Sequence, residues 1–328
     1  MPQLDGNREK RYVDLVFEGG GVKGIALVGA YSVLEERGYE PQNMAGASAG
    51  AIVAALIAAG YDAGELKEIV AKLDYDQFKD EAIEDRFPLG KTLSILKDLG
   101  IYEGKEFENW MRGLLEARDV RTFGDLVRRE DVELKYRYKL QVIASDVTER
   151  RLLVLPRDAP KLGIEDPDDI DVARAVRMSM SIPIFFEPVR FTNRQTDEEH
   201  LIVDGGMLSN FPVWLFDAPE PQWPTFGMKL VQDPETPIGD QLAEPVPRAG
   251  ITQVITYLRS LVDTMMAAHD RLYVEQNDFD RRTIGIDTLG VGTTEFDLST
   301  ERALALYESG RAAAEEFLAR DHEVVPQR

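Results

Sequence analysis

The stretch Asn43-Met44-Ala45-Gly46-Ala47-Ser48-Ala49-Gly50-Ala51-Ile52 passes from a short apolar run into small, helix-favouring residues. Its centre, Gly46-Ala47-Ser48-Ala49-Gly50, matches G-x-S-x-G, the pattern of a nucleophile elbow. In an elbow a strand ends, the chain turns sharply into a helix, and the serine stands on the turn. Glycine is needed on both sides because the turn crowds the backbone, and a Cβ at Gly46 or Gly50 would clash. The helix expected over Ala49–Ala59 aims its N-terminus at Ser48 and favours negative charge developing there. Short Gly/Ser patterns also arise by chance, so the surrounding sequence has to decide.

Upstream, Tyr12-Val13-Asp14-Leu15-Val16-Phe17 has the apolar, β-branched composition of a short buried strand. It runs into Glu18-Gly19-Gly20-Gly21-Val22-Lys23-Gly24 and then into a helical segment over Ile25–Arg37. Free backbone N–H groups collect at such a helix start, which makes the loop an anion site. Gly19, Gly21 and Gly24 satisfy the dinucleotide fingerprint G-x-G-x-x-G. The same donors can instead form an oxyanion hole for acyl transfer. A phosphate-binding Walker loop fails, because Gly24 is followed by Ile25 rather than by lysine and a hydroxyl residue. A dinucleotide fold also expects an acidic residue at the end of its second strand. This chain places Gly46–Gly50 there, which favours the oxyanion hole.

The chain has 328 residues, 44% of them hydrophobic and 9% aromatic, enough for a substantial core. Its 38 basic and 59 acidic residues give a net charge of −21. That balance argues against nucleic acid as a partner and against adhesion to anionic lipid through bulk charge. There is no cysteine, which excludes disulfides, thiolate metal sites and a cysteine nucleophile. The polar start, Met1–Tyr12, lacks the apolar core of a signal peptide, and no run approaches the length of a membrane span. The expected location is cytoplasmic.

Further along, helices are expected at Ala63–Leu73, Lys91–Leu99 and Lys105–Ala117, with Leu66, Ile69, Val70, Leu73, Trp110, Leu114 and Leu115 at core spacing. Tyr138–Ser145 and Arg151–Leu155 read as two strands, and Asp171 as the N-cap of a helix reaching Met180. Ser179–Pro188, an aromatic run between prolines, reads equally as a rigid connector or as an apolar wall near the site. His200–Val203 forms a strand ending in Asp204-Gly205-Gly206, and Thr225–Val231 another. A proline-rich loop over Asp233–Arg248 leads to an amphipathic helix over Ile251–Tyr273, then a strand at Arg282–Ile286 and a closing helix at Thr300–Arg320. One domain over 12–320, with short tails at 1–11 and 321–328, accounts for this pattern.

A serine needs a base to become a nucleophile. The chain holds three histidines, His200, His269 and His322. In the hydrolase order serine, acid, histidine the base would have to be His269 or His322, and neither lies in a loop at a strand end, where catalytic residues of such sheets gather. Asp204 does, so a Ser48–Asp204 dyad fits better than a triad.

Three blocks, Gly19-Gly20-Gly21-Val22-Lys23-Gly24, Gly46-Ala47-Ser48-Ala49-Gly50 and Asp204-Gly205-Gly206, stand in the order found in patatin-like phospholipases, and the chain resembles that family. The pieces Met180-Ser181-Ile182-Pro183 and Ser209-Asn210-Phe211-Pro212-Val213 are also similar to it. The resemblance is dense over Tyr12–Gly60 and Ala173–Val213 and thin over Asp62–Arg137 and beyond Val231. It implies a three-layer α/β/α sandwich on a mostly parallel sheet, in agreement with the alternating strands and helices. It also implies acyl-ester hydrolysis by Ser48 with Asp204 as general base and no metal or organic cofactor. Gly19, Gly20 and Gly21 would form the oxyanion hole. Gly24, Gly205 and Gly206 would support the motifs, and Lys23 reads equally as a charge beside the loop or as a solvated side chain. The implied partner is a lipid or fatty-acyl ester, with transient contact to a membrane surface. Two other readings are a dinucleotide-binding domain, resting on the glycine fingerprint alone, and a non-catalytic lipid-binding protein that retains the fold. An aspartate base leads one to expect activity that persists into mildly acidic conditions, whereas loss near the histidine pKa would point to a histidine.

Overall fold

The apolar run Leu15-Val16-Phe17 forms the middle of the central sheet in the computed structural model, which describes residues 10–71, 100–102, 104–128, 133–231, 281–293, 295 and 298–320. These residues end strand β1 (Arg11–Phe17), whose last five positions are all buried. Such a strand is covered on both faces, as expected where parallel neighbours flank it. On one side β1 pairs with β2 (Tyr39–Ala47) and on the other with β9 (Thr225–Val231), both parallel. Beyond β9 lies β10 (Thr283–Asp287), and beyond β2 lies β4 (Leu140–Asp146), again parallel.

The sheet changes direction past β4. Strands β5 (Arg151–Leu155) and β8 (Glu199–Asp204) pair antiparallel with it, and β7 (Val189–Thr192) pairs antiparallel with β8. Two short strands, β3 (Gly100–Tyr102) and β6 (Ile184–Phe186), form a separate parallel pair. The architecture is mixed α/β on a mostly parallel central sheet.

Side-chain alternation along the strands divides the core in two. Leu15 and Phe17 of β1, Met44 of β2, and Val142 and Ala144 of β4 belong to one cluster. Val16, Ala45, Ala47 and Ile143 belong to the other. Helices α1 (Gly24–Glu36), α2 (Ala49–Ala58), α3 (Ala63–Ala71), α4 (Lys105–Glu116), α6 (Val172–Ser179) and α7 (Thr300–Arg320) all contribute to the first cluster. The second is closed, among the described residues, by Phe211, Val213, Leu215 and Phe216, with Tyr136 of α5 (Leu134–Arg137) packed against it. α2 is apolar on every side, and all ten of its residues are buried, as befits a helix enclosed by the fold.

The expected elements within the described residues appear within a few positions of their anticipated ends. Asp171 caps α6 as anticipated, its carboxylate accepting the Arg174 N–H at 2.8 Å. Leu66, Val70 and Leu115 are buried, and Ile69, Trp110 and Leu114 pack against the same core. The helices expected at Lys91–Leu99 and Ile251–Tyr273, the loop Asp233–Arg248, and His269 and His322 lie outside the described residues, as do both tails for the most part. Among the described residues, no helix is long and apolar enough to cross a membrane.

Candidate active site

The elbow forms where β2 meets α2. Ser48 has φ 52° and ψ −128°, a conformation that side chains other than glycine adopt rarely. The crowding anticipated on either side is present. A Cβ on Gly46 would lie 2.3 Å from the Gly50 carbonyl oxygen, and one on Gly50 would lie 2.3 Å from that of Phe17. The end of β1, the turn and the first residues of α2 therefore touch backbone to backbone. Ser48 has no solvent exposure, and its N–H donates to Ser179 Oγ at 2.9 Å. Its hydroxyl faces Met180 Sδ at 3.6 Å.

Asp204 ends β8 and is likewise fully buried. One carboxylate oxygen, Oδ1, accepts the Gly206 N–H at 2.8 Å, an arrangement that the glycine turn after the strand makes available. The other, Oδ2, is buried without a hydrogen-bond partner among the described residues. The Asp204 N–H donates to the Ser181 carbonyl at 3.0 Å. Burial pushes the Asp204 carboxyl up to about 7, while the Gly206 N–H and the neighbouring Ser48 hydroxyl pull it down. The titration expected of an ordinary aspartate is therefore corrected: this carboxyl ionises in the histidine range, and pH dependence alone does not separate the two kinds of base.

The glycine loop lies against the elbow. A Cβ on Gly19 would sit 3.0 Å from Ser48 Cβ and 2.2 Å from Asn210 Oδ1. The Gly19 N–H donates to the Asn210 carbonyl, and Asn210 Nδ2 donates to the Gly19 carbonyl, both at 3.1 Å. Gly19 thus shapes the loop while its own donor is engaged. Gly21 has φ 56°, and Val22 N–H donates to the Thr293 carbonyl at 3.3 Å, which holds the turn from the outside. Among the described residues no acceptor meets the N–H of Gly20 or Gly21. Lys23 is partly buried in the turn before α1, its N–H donating to the Gly20 carbonyl at 3.2 Å. Gly24 opens α1, and a Cβ on Gly205 would strike the Ile143 carbonyl at 2.3 Å.

His200 takes no part in this cluster. It lies four residues before Asp204 on an extended strand, roughly 13 Å away at the usual rise. Its Nδ1 is paired with buried Asp146 at 3.0 Å, and Arg151 binds the same carboxylate at 3.1 Å. Among the described residues there is no group of three or more His, Asp or Glu side chains that could hold a metal ion. A cavity of about 460 Å³ is lined by Leu162, Arg174, Met178, Phe191 and their neighbours, and neither Ser48 nor Asp204 reaches it.

Ser179, Met180 and Ser181 also contact Ser48 or Asp204, and no motif in the sequence marks them for that. The proline-rich piece containing them was legible, but a serine whose side chain accepts a distant N–H follows no recognisable pattern. The apolar side of that piece is real: Ile182 is buried, with Ile184, Phe185 and Met207 packed against it.

Comparison with known proteins identifies the family. Residues 15–217 match the model of a family described as patatin-like phospholipase. The uncharacterized protein YqhO of Bacillus subtilis (strain 168) is 39% identical over 310 residues, covering 94% of this chain and 98% of that protein. The probable lipid hydrolase 463L of Invertebrate iridescent virus 6 is 24% identical over 221 residues, 63% of each chain. Among solved structures, VipD from Legionella pneumophila shares the fold with a TM-score of 0.55 and 21% identity, over 95% of this chain and 67% of that one. The chain belongs to the patatin-like phospholipase family.

Proposed function

We propose that this protein is a serine acyl hydrolase of lipids, of the phospholipase A or lysophospholipase type. Family membership supports lipid acyl hydrolysis in general. The observation that carries the finer reading is the buried meeting of Ser48, on a strained turn, with Asp204, whose carboxyl is raised to about 7 and has one oxygen without a hydrogen-bond partner among the described residues.

A base poised near the working pH combines adequate ionisation with a useful driving force for proton transfer. In the reaction the Ser48 hydroxyl turns from Met180 to Asp204 Oδ2 and gives up its proton as Oγ attacks the ester carbonyl carbon. The carbonyl oxygen becomes an oxyanion, and the N–H groups of Gly20 and Gly21 stabilise it where water is excluded. Collapse of the tetrahedral species breaks the ester C–O bond, and protonated Asp204 returns the proton to the leaving alcohol. Water then attacks the acyl carbon while Asp204 accepts its proton; collapse of the second tetrahedral species breaks the acyl–Oγ bond, Asp204 returns the proton to Ser48, and the fatty acid is released. The N-terminus of α2 adds a favourable potential at Ser48 throughout.

The test is hydrolysis of a graded series of p-nitrophenyl esters, then of lysophospholipid micelles, by wild type, Ser48→Ala and Asp204→Asn. Turnover by wild type and its loss in both variants is the expected outcome. Turnover retained by Ser48→Ala would remove the serine from the mechanism.

A further inference from the structure

Residues 179–181, at the C-terminal end of α6, touch both members of the dyad through three consecutive positions. Ser179 Oγ accepts the Ser48 N–H at 2.9 Å, Met180 Sδ lies 3.6 Å from the Ser48 hydroxyl, and the Ser181 carbonyl accepts the Asp204 N–H at 3.0 Å. Ser48 and Asp204 are far apart in the chain, yet both hang on this tripeptide.

The tripeptide is itself anchored. Arg177 is buried, 3% exposed. Its guanidinium donates to Ser181 Oγ, to the Gly104 carbonyl at 3.1 Å and to the Glu187 carbonyl at 2.9 Å. Ser181 Oγ in turn donates to the Arg177 carbonyl at 2.9 Å. One arginine thus ties the end of α6 to the start of α4 and to the chain beyond the tripeptide. Buried, multiply bonded side chains of this kind hold a fixed geometry.

Ser48 needs such support. A residue at φ 52° persists only where its surroundings over-determine it. The close packing of Gly46 and Gly50 blocks other paths for the chain but does not orient the Ser48 peptide plane. The Ser179 hydroxyl does, because a hydrogen bond to the Ser48 N–H fixes the peptide from which the nucleophile projects.

We propose that Ser179 is a positioning residue: it clamps the Ser48 peptide through its N–H, and the segment it belongs to holds the nucleophile in register with Asp204. This rests on the reading of Ser48 as nucleophile. Small misplacements of a reacting group lower the rate far more than they lower stability. The loss should therefore appear in kcat and leave substrate binding nearly untouched.

The experiment compares wild type, Ser48→Ala, Ser179→Ala, Ser179→Thr and Ser179→Val, using steady-state ester hydrolysis, the labelling rate with a fluorophosphonate, and thermal melting by circular dichroism. Ser179→Ala should melt near wild type, keep KM within about twofold and lose roughly 10- to 100-fold in both kcat and labelling rate. Threonine and valine have nearly the same shape, so they separate the hydroxyl from the space it fills. Ser179→Thr should be clearly faster than Ser179→Val at similar melting temperature. The midpoint of the pH profile should not move in Ser179→Ala, because Asp204 keeps its surroundings. Wild-type kcat and labelling in Ser179→Ala, or equal rates in the threonine and valine variants, would overturn the proposal while an inert Ser48→Ala left the dyad standing. An active Ser48→Ala would overturn both.

Discussion

Ser48 and Asp204 are brought together by a single strand lying between them. Ala47, the residue before Ser48, pairs with Ile143 of β4, and Asp204 pairs with the next residue, Ala144. β2 runs parallel to β4 and β8 antiparallel to it, so the two strand ends arrive at the same level from opposite directions. Two strand spacings separate the backbones by roughly 10 Å, a gap that a serine and an aspartate side chain close between them. The proposed dyad would therefore be a product of sheet topology, with a carboxylate serving it without a histidine between.

The first prediction concerns pH. Asp204 must be ionised to accept a proton, and its carboxyl is held near 7 by burial. Hydrolysis should therefore rise with pH, with a midpoint near 7, and level off above it. A His269→Ala/His322→Ala double variant should keep that midpoint, since the titrating group is the carboxyl. A midpoint near 4, or one abolished by the histidine changes, would contradict this account of the base.

Stability should show the opposite trend at the same residue. The folded pKa of Asp204, about 7, is raised above the ordinary aspartate value of 3.8. Folding thus favours the protonated form, and that contribution is complete below the unfolded pKa and lost as pH rises through the folded one. Asp14, buried and accepting the Asn43 N–H at 3.0 Å, is also held up to about 7 and adds to the same slope. The informative quantity is the difference in melting temperature between Asp204→Asn and wild type. It should move in favour of the variant between about pH 4 and pH 7 and stay constant above. A difference independent of pH would mean that Asp204 is not buried as a titrating group.

Gly19→Ala should damage activity more than stability. The added methyl would meet the end of the Asn210 side chain at 2.2 Å and crowd Ser48 Cβ at 3.0 Å, displacing the loop that presents Gly20 and Gly21. Removal of one oxyanion donor costs roughly 10²- to 10³-fold in rate, and a comparable fall in kcat is expected here. Wild-type turnover in this variant would place the oxyanion elsewhere.

Gly46→Ala and Gly50→Ala should instead fail as folds. Both new methyls would meet backbone atoms at 2.3 Å, which no side-chain rotation relieves. Overpacking of this kind costs typically 1–3 kcal/mol and sometimes more. Urea unfolding should show at least that loss in soluble material, and near-native midpoints would argue against the tight elbow.

Much of this was legible in the sequence because the elbow and the glycine loop depend on residues without substitutes. A Cβ at Gly46 or Gly50 is excluded by contact, so the requirement is written directly into the chain. The strand-end position of Asp204 was legible for a similar reason, through the glycines that follow it. Its raised pKa was not, because burial is a property of the assembled fold. Nor was the reversal of β8 relative to β4, which no local pattern encodes. The partnership of Ser48 with Ser179 was hidden most deeply: its chemistry is an ordinary hydroxyl accepting an ordinary N–H, and only the fold brings the two within 2.9 Å.

If Ser48 is the nucleophile, it carries the acyl group between the two half-reactions. Intact-mass spectrometry after rapid acid quench of the protein with a p-nitrophenyl ester, followed by peptide mapping, tests it most directly. One acyl adduct is expected on the peptide containing Ser48 in wild type and none in Ser48→Ala. An adduct on another residue, or an unchanged adduct in the variant, would contradict it.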